Sequence, residues 1–332
     1  MKALFFIALL FFQPAEPVLR KRTVMLMGSR FDISIVAGDS LSAEQNIDTV
    51  IGEVKRIEYL ISDWRPDSQV SEVNQHAGKK PVKVDREVFK LTQEALELSK
   101  ITGGAFDISF AAMDRIWKFD GSMTTMPTPE AVKQSVARVG YRNILLDSIN
   151  STIFLKLPGM KIGFGALGEG YAADRCRELM ARRGIMAGIV NGSGDMRTWG
   201  KHPNGRNWSV GINHPFRQGD LFAIIPLEDE AIVTSGSYEK FVSFNGKRYS
   251  HIINPATGYP STGLTSVTVL GPSAEMANGI STSIMVLGKA KGLQLLKKFP
   301  GYRCIMIADD GKVFTSAGIS KTQLRSWQKD AS

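Results

Sequence analysis

Apolar and polar positions alternate through residues 23–37 (TVMLMGSRFDISIVA), which predicts an extended strand. From 42 to 60 the period changes. In SAEQNIDTVIGEVKRIEYL the apolar positions recur at helical spacing, so an amphipathic helix is predicted, with Ser42 as N-cap and Glu44 in the first turn. Residues 61–78 are polar and irregular. A second amphipathic helix is predicted over 85–101, ending near Gly103-Gly104, and another over 129–138. Strand-like runs at 142–147, 151–156 and 160–164 lead into a glycine-rich turn, a helix over about 168–183 and the strand GIMAGIVN. Short strands with turns follow, and two further helices are predicted over about 274–287 and 289–298. Helices and strands mix without strict alternation. That predicts an α+β fold of mixed, largely antiparallel sheets with packed helices, rather than a doubly wound parallel sheet.

Composition bounds the class. The chain has 332 residues, 43% hydrophobic and 22% charged, which excludes disordered and collagen-like chains. The formal net charge is +9, which suits phosphorylated ligands or an anionic surface. Lys and Arg are scattered apart from Arg20-Lys21-Arg22, and no zinc-finger spacing or RNA-binding aromatic signature is present, so no nucleic-acid partner is expected. Two cysteines, Cys176 in a helical pattern and Cys304 in a strand pattern, are too few for a cysteine zinc site or a disulfide framework. They read as two buried thiols, with a bond between them left open.

Met1-Lys2, the apolar run Ala3 to Phe12 and Gln13-Pro14-Ala15 have the layout of a secretory signal. The run is shorter than the ~20 residues that span a bilayer. The expected organisation is an export signal over 1–18 and one domain over 19–330, of two intimate subdomains at most. No cysteine follows the run to carry a lipid. The expected location is the periplasm or the outer face of the inner membrane.

Four features carry candidate chemistry. Gly163-Phe164-Gly165-Ala166-Leu167-Gly168 is a G-x-G-x-x-G between a predicted strand and a predicted helix. Such glycines let backbone N–H groups approach a pyrophosphate at a helix N-terminus, though a tight turn before a packed helix reads equally well. Glu169 beside it suits a ribose, an adenine edge or a metal better than a phosphate. Ser237-Tyr238-Glu239-Lys240 is an S-x-x-K, without the S-D-N and K-T-G partners of a serine acyl-enzyme. His251, in YSHIINPATGYP, is either a capping histidine or a general base poised near neutral pH. On the helix in SAEMANGISTSIMVLG, Asn278, Ser281 and Thr282 fall at i, i+3 and i+4. They form either an ordinary polar face or three oxygen ligands for a hard cation.

Seven segments taken in order resemble the ApbE family of FAD:protein FMN transferases. They are ISDWRPDSQVSEVN, TGGAFDISF, GFGALGEGYAADR, GIVNGSGDMRTWG, AIVTSGSYEKF, RYSHIINPATGYPSTGLTSVTVLGP and AEMANGISTSIMVLG. The resemblance implies an ApbE-like fold and the cofactors FAD, as substrate, and Mg²⁺. It implies transfer of FMN from FAD to a threonine hydroxyl of a target protein, with release of AMP. It implies that the target is an exported or membrane electron-transfer subunit. Met27, Trp64, Ala105, Phe106, Asp107, Gly163, Glu169 and Ile253 match positions that contact FAD. His251 matches the base, and Ala166, through its carbonyl, with Asn278, Ser281 and Thr282 matches the metal site. Trp64 stands where the family usually has Tyr, so an aromatic can still stack on the flavin, and three further departures matter. Gly163 replaces the usual Asp that binds FAD, Asn278 replaces the metal-binding Asp, and Ser281 stands where some members have another Asp. Each loss removes negative charge, so FAD hydrolysis or FAD binding without transfer is the alternative implied.

Overall fold

The computed structural model describes residues 16–238 and 240–319. The expected export signal covers 1–18, and residues 1–15 lie outside the described residues.

An eight-stranded sheet forms the centre. Its strands are β1 (Val18–Leu26), β2 (Ser29–Ala37), β6 (Ala187–Gly192), β7 (Asp195–Trp199), β10 (Ala231–Gly236), β13 (Leu264–Gly271), β14 (Arg303–Ala308) and β15 (Val313–Thr315), and they lie in that order. Every neighbouring pair is antiparallel. The single strand predicted over 23–37 is therefore the end of β1, a turn and all of β2. It turns at Met27 (φ 53°) and Gly28 (φ 74°), both left-handed as a two-residue primed turn requires. Methionine rarely adopts that conformation, so alternation alone did not mark the turn.

Helix α1 (Ser40–Ile61) packs on β1 and β2, α5 (Gly168–Arg182) on β6 and β7, and α6 (Ala274–Leu296) on β10 and β13. Asp39, rather than Ser42, caps α1, its carboxylate accepting the Ser42 N–H at 2.8 Å. The helices and one sheet face share a core that includes Phe31, Ile33, Ile35, Val190, Val233, Val267, Val269 and Met306. The opposite face carries Ile232, Leu270, Ile305 and Ile307. The hairpin of β8 (Trp208–Asn213) and β9 (Leu221–Leu227) covers it with Ile212, Phe222 and Ile225. The one-residue offset between the two sets, Ile232 against Val233 and Leu270 against Val269, is the strand period. Covered on both faces, β13 is buried at all eight positions. Each large aliphatic so buried contributes about 1.5–3 kcal/mol.

A smaller part completes the chain. It holds α2 (Gln69–Gln75), α3 (Arg86–Ile101), α4 (Pro129–Ser135) and a three-stranded sheet ordered β3 (Val82–Lys83), β5 (Thr152–Leu155), β4 (Ile144–Asp147). Residues 160–164, predicted as a strand, are irregular. Gly288 (φ 74°, ψ 172°) breaks α6 where two separate helices were predicted. Cys176 and Cys304 are buried and unlinked. Among the described residues no helix is long and apolar enough to cross a membrane.

Candidate functional site

A cleft of about 1190 Å³ opens where the β6–β7 turn, the end of β10 and the N-terminal parts of α5 and α6 meet. Ten residues predicted for the site line it: Ala105, Phe106, Asp107, Gly163, Ala166, Glu169, His251, Ile253, Asn278 and Thr282. They come from sequence positions more than 170 residues apart, brought to one place by the antiparallel sheet and its helices.

The glycine turn works through packing more than through phosphate approach. A side chain at Gly163 would meet Asp63 Oδ2 at 2.9 Å and Ala111 Cβ at 3.1 Å. One at Gly168 would meet Ile61 and Met27, each at 3.1 Å. Only Gly165 faces open space. No strand leads into the turn and no parallel pair occurs in the central sheet, so the dinucleotide-fold reading of G-x-G-x-x-G does not hold. Asp63, which lines the cleft, was not singled out in the sequence.

Deeper in, Glu169 lies in the first turn of α5, where the helix dipole favours an acid. Burial raises its pKa, opposed by a hydrogen bond from Ser29. Beside it Asp195, at the start of β7, is 6% exposed. Burial, then the charge of Glu169, pushes Asp195 up to about 8. Its carboxylate accepts hydrogen bonds from the Asn278 side-chain amide and the Gly170 backbone N–H. Thr282 Oγ1 donates to Asn278 Oδ1 at 3.2 Å. Ser281 is fully buried and does not line the cleft, bonded to Ser235 Oγ at 2.7 Å and to the Asn278 carbonyl at 2.9 Å. The donors facing the cleft are thus two neutral oxygens with a carboxylate behind them. That set fits a hard cation with oxygen ligands. Among the described residues no cluster of three His, Cys, Asp or Glu side chains forms a metal site of its own.

His251 follows β12 (Lys247–Ser250), which pairs with β11 (Phe241–Phe244). Its Nδ1 lies 3.1 Å from the Lys240 carbonyl, and the edge of its ring meets Phe119 at 6.4 Å. A proton on Nδ1 is donated to that carbonyl, and the Nε2 lone pair is then the basic one. Of the other histidines, His76 Nδ1 meets the Glu72 carbonyl at 2.9 Å and His202 packs edge-on to Trp208. The S-x-x-K serine, Ser237, is buried and donates to the Thr265 carbonyl at 3.3 Å.

Asp107 is committed to the local fold. It accepts from the Ser109 N–H (2.8 Å), the Ser109 hydroxyl (2.6 Å) and the Tyr141 N–H (2.7 Å), which fixes the wall formed by Ala105 and Phe106. Burial raises its pKa and those bonds oppose the rise. Ile253 packs with Trp117, Val132 and Val242 under the His251 rim. Met27 and Trp64 do not line the cleft. Met27 is buried in the main core, its N–H bonded to Glu58 at 3.0 Å, and Trp64 is 56% exposed.

The sequence profile of the ApbE family matches residues 27–306. A FAD:protein FMN transferase of Treponema pallidum is 32% identical over 288 residues, covering 82% of this chain and 80% of that protein. One from Salmonella typhimurium is 31% identical over 307 residues, covering 91% and 87%. The crystal structure of the ApbE protein of Thermotoga maritima superposes with a TM-score of 0.81 at 28% identity, over 90% of this chain and 97% of that one. The flavin transferase ApbE of Vibrio cholerae gives 0.80 at 26% identity, over 91% and 98%.

Proposed function

The chain belongs to the ApbE family, and on that premise we propose that it moves FMN from FAD to a threonine hydroxyl of an acceptor protein, with Mg²⁺, releasing AMP. It is a transferase acting on flavin. The observation that carries the finer reading is the single cleft that collects His251, Glu169, Asn278 and Thr282 with the Ala105–Asp107 wall.

Ala105, Phe106 and Ile253 supply apolar lining for the flavin. His251, with Nδ1 bonded to the Lys240 carbonyl, takes the hydroxyl proton on Nε2. The hydroxyl oxygen forms a bond to the FMN phosphorus, the phosphoanhydride bond to AMP breaks, and AMP leaves with the electron pair. Asn278, Thr282 and the Ala166 carbonyl would hold Mg²⁺, which when bound would neutralise charge on the phosphoryl oxygens. Ser281, buried behind Asn278, acts only as support. The acceptor is an exported or membrane electron-transfer subunit, and residues 1–18 direct this chain to the same side of the membrane.

The test is to incubate the protein with FAD, Mg²⁺ and a flavin-bearing electron-transfer domain, then to look for in-gel fluorescence after denaturation. A fluorescent acceptor band is expected. A second reading, FAD binding or hydrolysis alone, is favoured by the neutral donors at Asn278 and Thr282. AMP release without acceptor labelling would establish it.

A further inference from the structure

We infer that Asp195 is a positioning residue for the cation ligand Asn278: it fixes which end of the carboxamide faces the cleft. The inference rests on the metal-assisted reaction proposed above.

A carboxamide has two similar ends, and only its oxygen can bind a hard cation. Left alone at 278, the side chain could turn its NH₂ toward the cation as easily as its oxygen. Asp195 removes that freedom. Two donors aim at its carboxylate, the Gly170 backbone N–H from α5 and the Asn278 Nδ2 from α6. A group so engaged acts as an acceptor, and reversing the amide would press oxygen against oxygen in a buried place. With the nitrogen held inward, Oδ1 lies beside Thr282, whose hydroxyl donates to it at 3.2 Å. Ser235 Oγ in turn lies 3.4 Å from Thr282 Oγ1 and 2.7 Å from Ser281 Oγ, tying the helix face to β10. The chain of contacts runs from α5 through β7 to α6 and β10, so both cleft-facing oxygens are preset.

A buried carboxylate is costly unless a positive partner compensates it. Among the described residues Asp195 has amide donors but no cationic side chain bonded to it, and the acid Glu169 is its neighbour. Outer partners of this kind orient the ligand and raise its basicity, and losing them weakens metal binding by about 10–100-fold.

The experiment uses Mn²⁺ as the probe, titrated by electron paramagnetic resonance into the full chain saturated with FAD. Asp195→Asn should weaken Mn²⁺ binding by about 10–100-fold while FAD affinity without metal stays the same. The exchanged pair Asp195→Asn with Asn278→Asp should recover wild-type Mn²⁺ affinity to within about threefold, since acid and amide have traded places. A merely structural role predicts no such rescue. Equal Mn²⁺ binding by wild type and Asp195→Asn, or an exchanged pair as weak as the single variant, would overturn the inference. Absence of Mn²⁺ binding by the wild type would remove the metal reading itself, and this inference with it. If Asp195→Asn does not fold, Asp195→Ser is titrated instead. The wild-type Asn278 side-chain amide, assigned by nuclear magnetic resonance, must also show one proton protected from exchange, and a freely exchanging pair refutes the hydrogen bond on which the inference stands.

Discussion

Asp63 occupies the space that a side chain at Gly163 would need: a Cβ at 163 would lie 2.9 Å from Asp63 Oδ2. The carboxylate absent from Gly163 is thus matched by one delivered from the end of α1. Asp63 is exposed and its carboxylate is the mobile end of a side chain, so Gly163→Ala should cost less than about 1 kcal/mol of stability by swinging it aside. FAD binding should weaken severalfold, measured by quenching of flavin fluorescence. Gly163→Asp should weaken it further through two carboxylates in contact, and Asp63→Ala in that background should recover it. Unchanged FAD affinity in Gly163→Asp would show that Asp63 does not serve the ligand.

His251→Ala should keep FAD affinity, because the flavin lining at Ala105, Phe106 and Ile253 is untouched. Acceptor labelling should fall by about 10²–10⁴-fold, the usual worth of a positioned general base. Timed in-gel fluorescence checks the rate, and an unchanged rate would remove His251 from the chemistry.

The parts of the fold with a long period were legible. The apolar stripes of α1, α3 and α5 run 15 residues or more and place those helices to within a few residues. The glycine at 288 marked the break in α6. What escaped was short or conformationally atypical. Helix α2 has seven residues and rests on the Ser68 cap rather than on a stripe, and the β1–β2 turn places methionine at positive φ. Ten of thirteen predicted site residues reached the cleft, because glycine turns and a polar helix face carry local signals. Asp63 and Asp195 were missed for a different reason. Asp195 lies in the segment GIVNGSGDMRTWG, but only the tertiary contact with Asn278 gives it a role.

Gly170 owes its place to helix packing. A Cβ there would lie 2.7 Å from the Ala274 carbonyl group and from the Glu275 nitrogen, all backbone atoms that cannot swing away. Gly170→Ala should therefore force α5 and α6 apart and lower stability by about 1–3 kcal/mol, despite alanine's better helix propensity. A urea melt checks this. Because α6 carries Asn278 and Thr282, the same variant should also weaken Mn²⁺ binding. A variant as stable as wild type would mean that the two helices separate at little cost.

Glu275, in the first turn of α6, is crowded by burial and by the acids Glu94 and Asp174, and its pKa is pushed up to about 8. A raised acid is protonated in the folded chain while the unfolded chain, near 4.5, has already lost its proton. Stability from this group therefore falls as pH climbs from about 4.5 to 8 and is level beyond. Glu275→Gln removes the titration. The variant should melt with the wild type at pH 5 and at a higher temperature at pH 8.5, by on the order of 2 kcal/mol. Thermal melts at the two pH values decide it. A gain at pH 5 as large as at pH 8.5 would mean that the glutamate is penalised by its shape rather than by its charge.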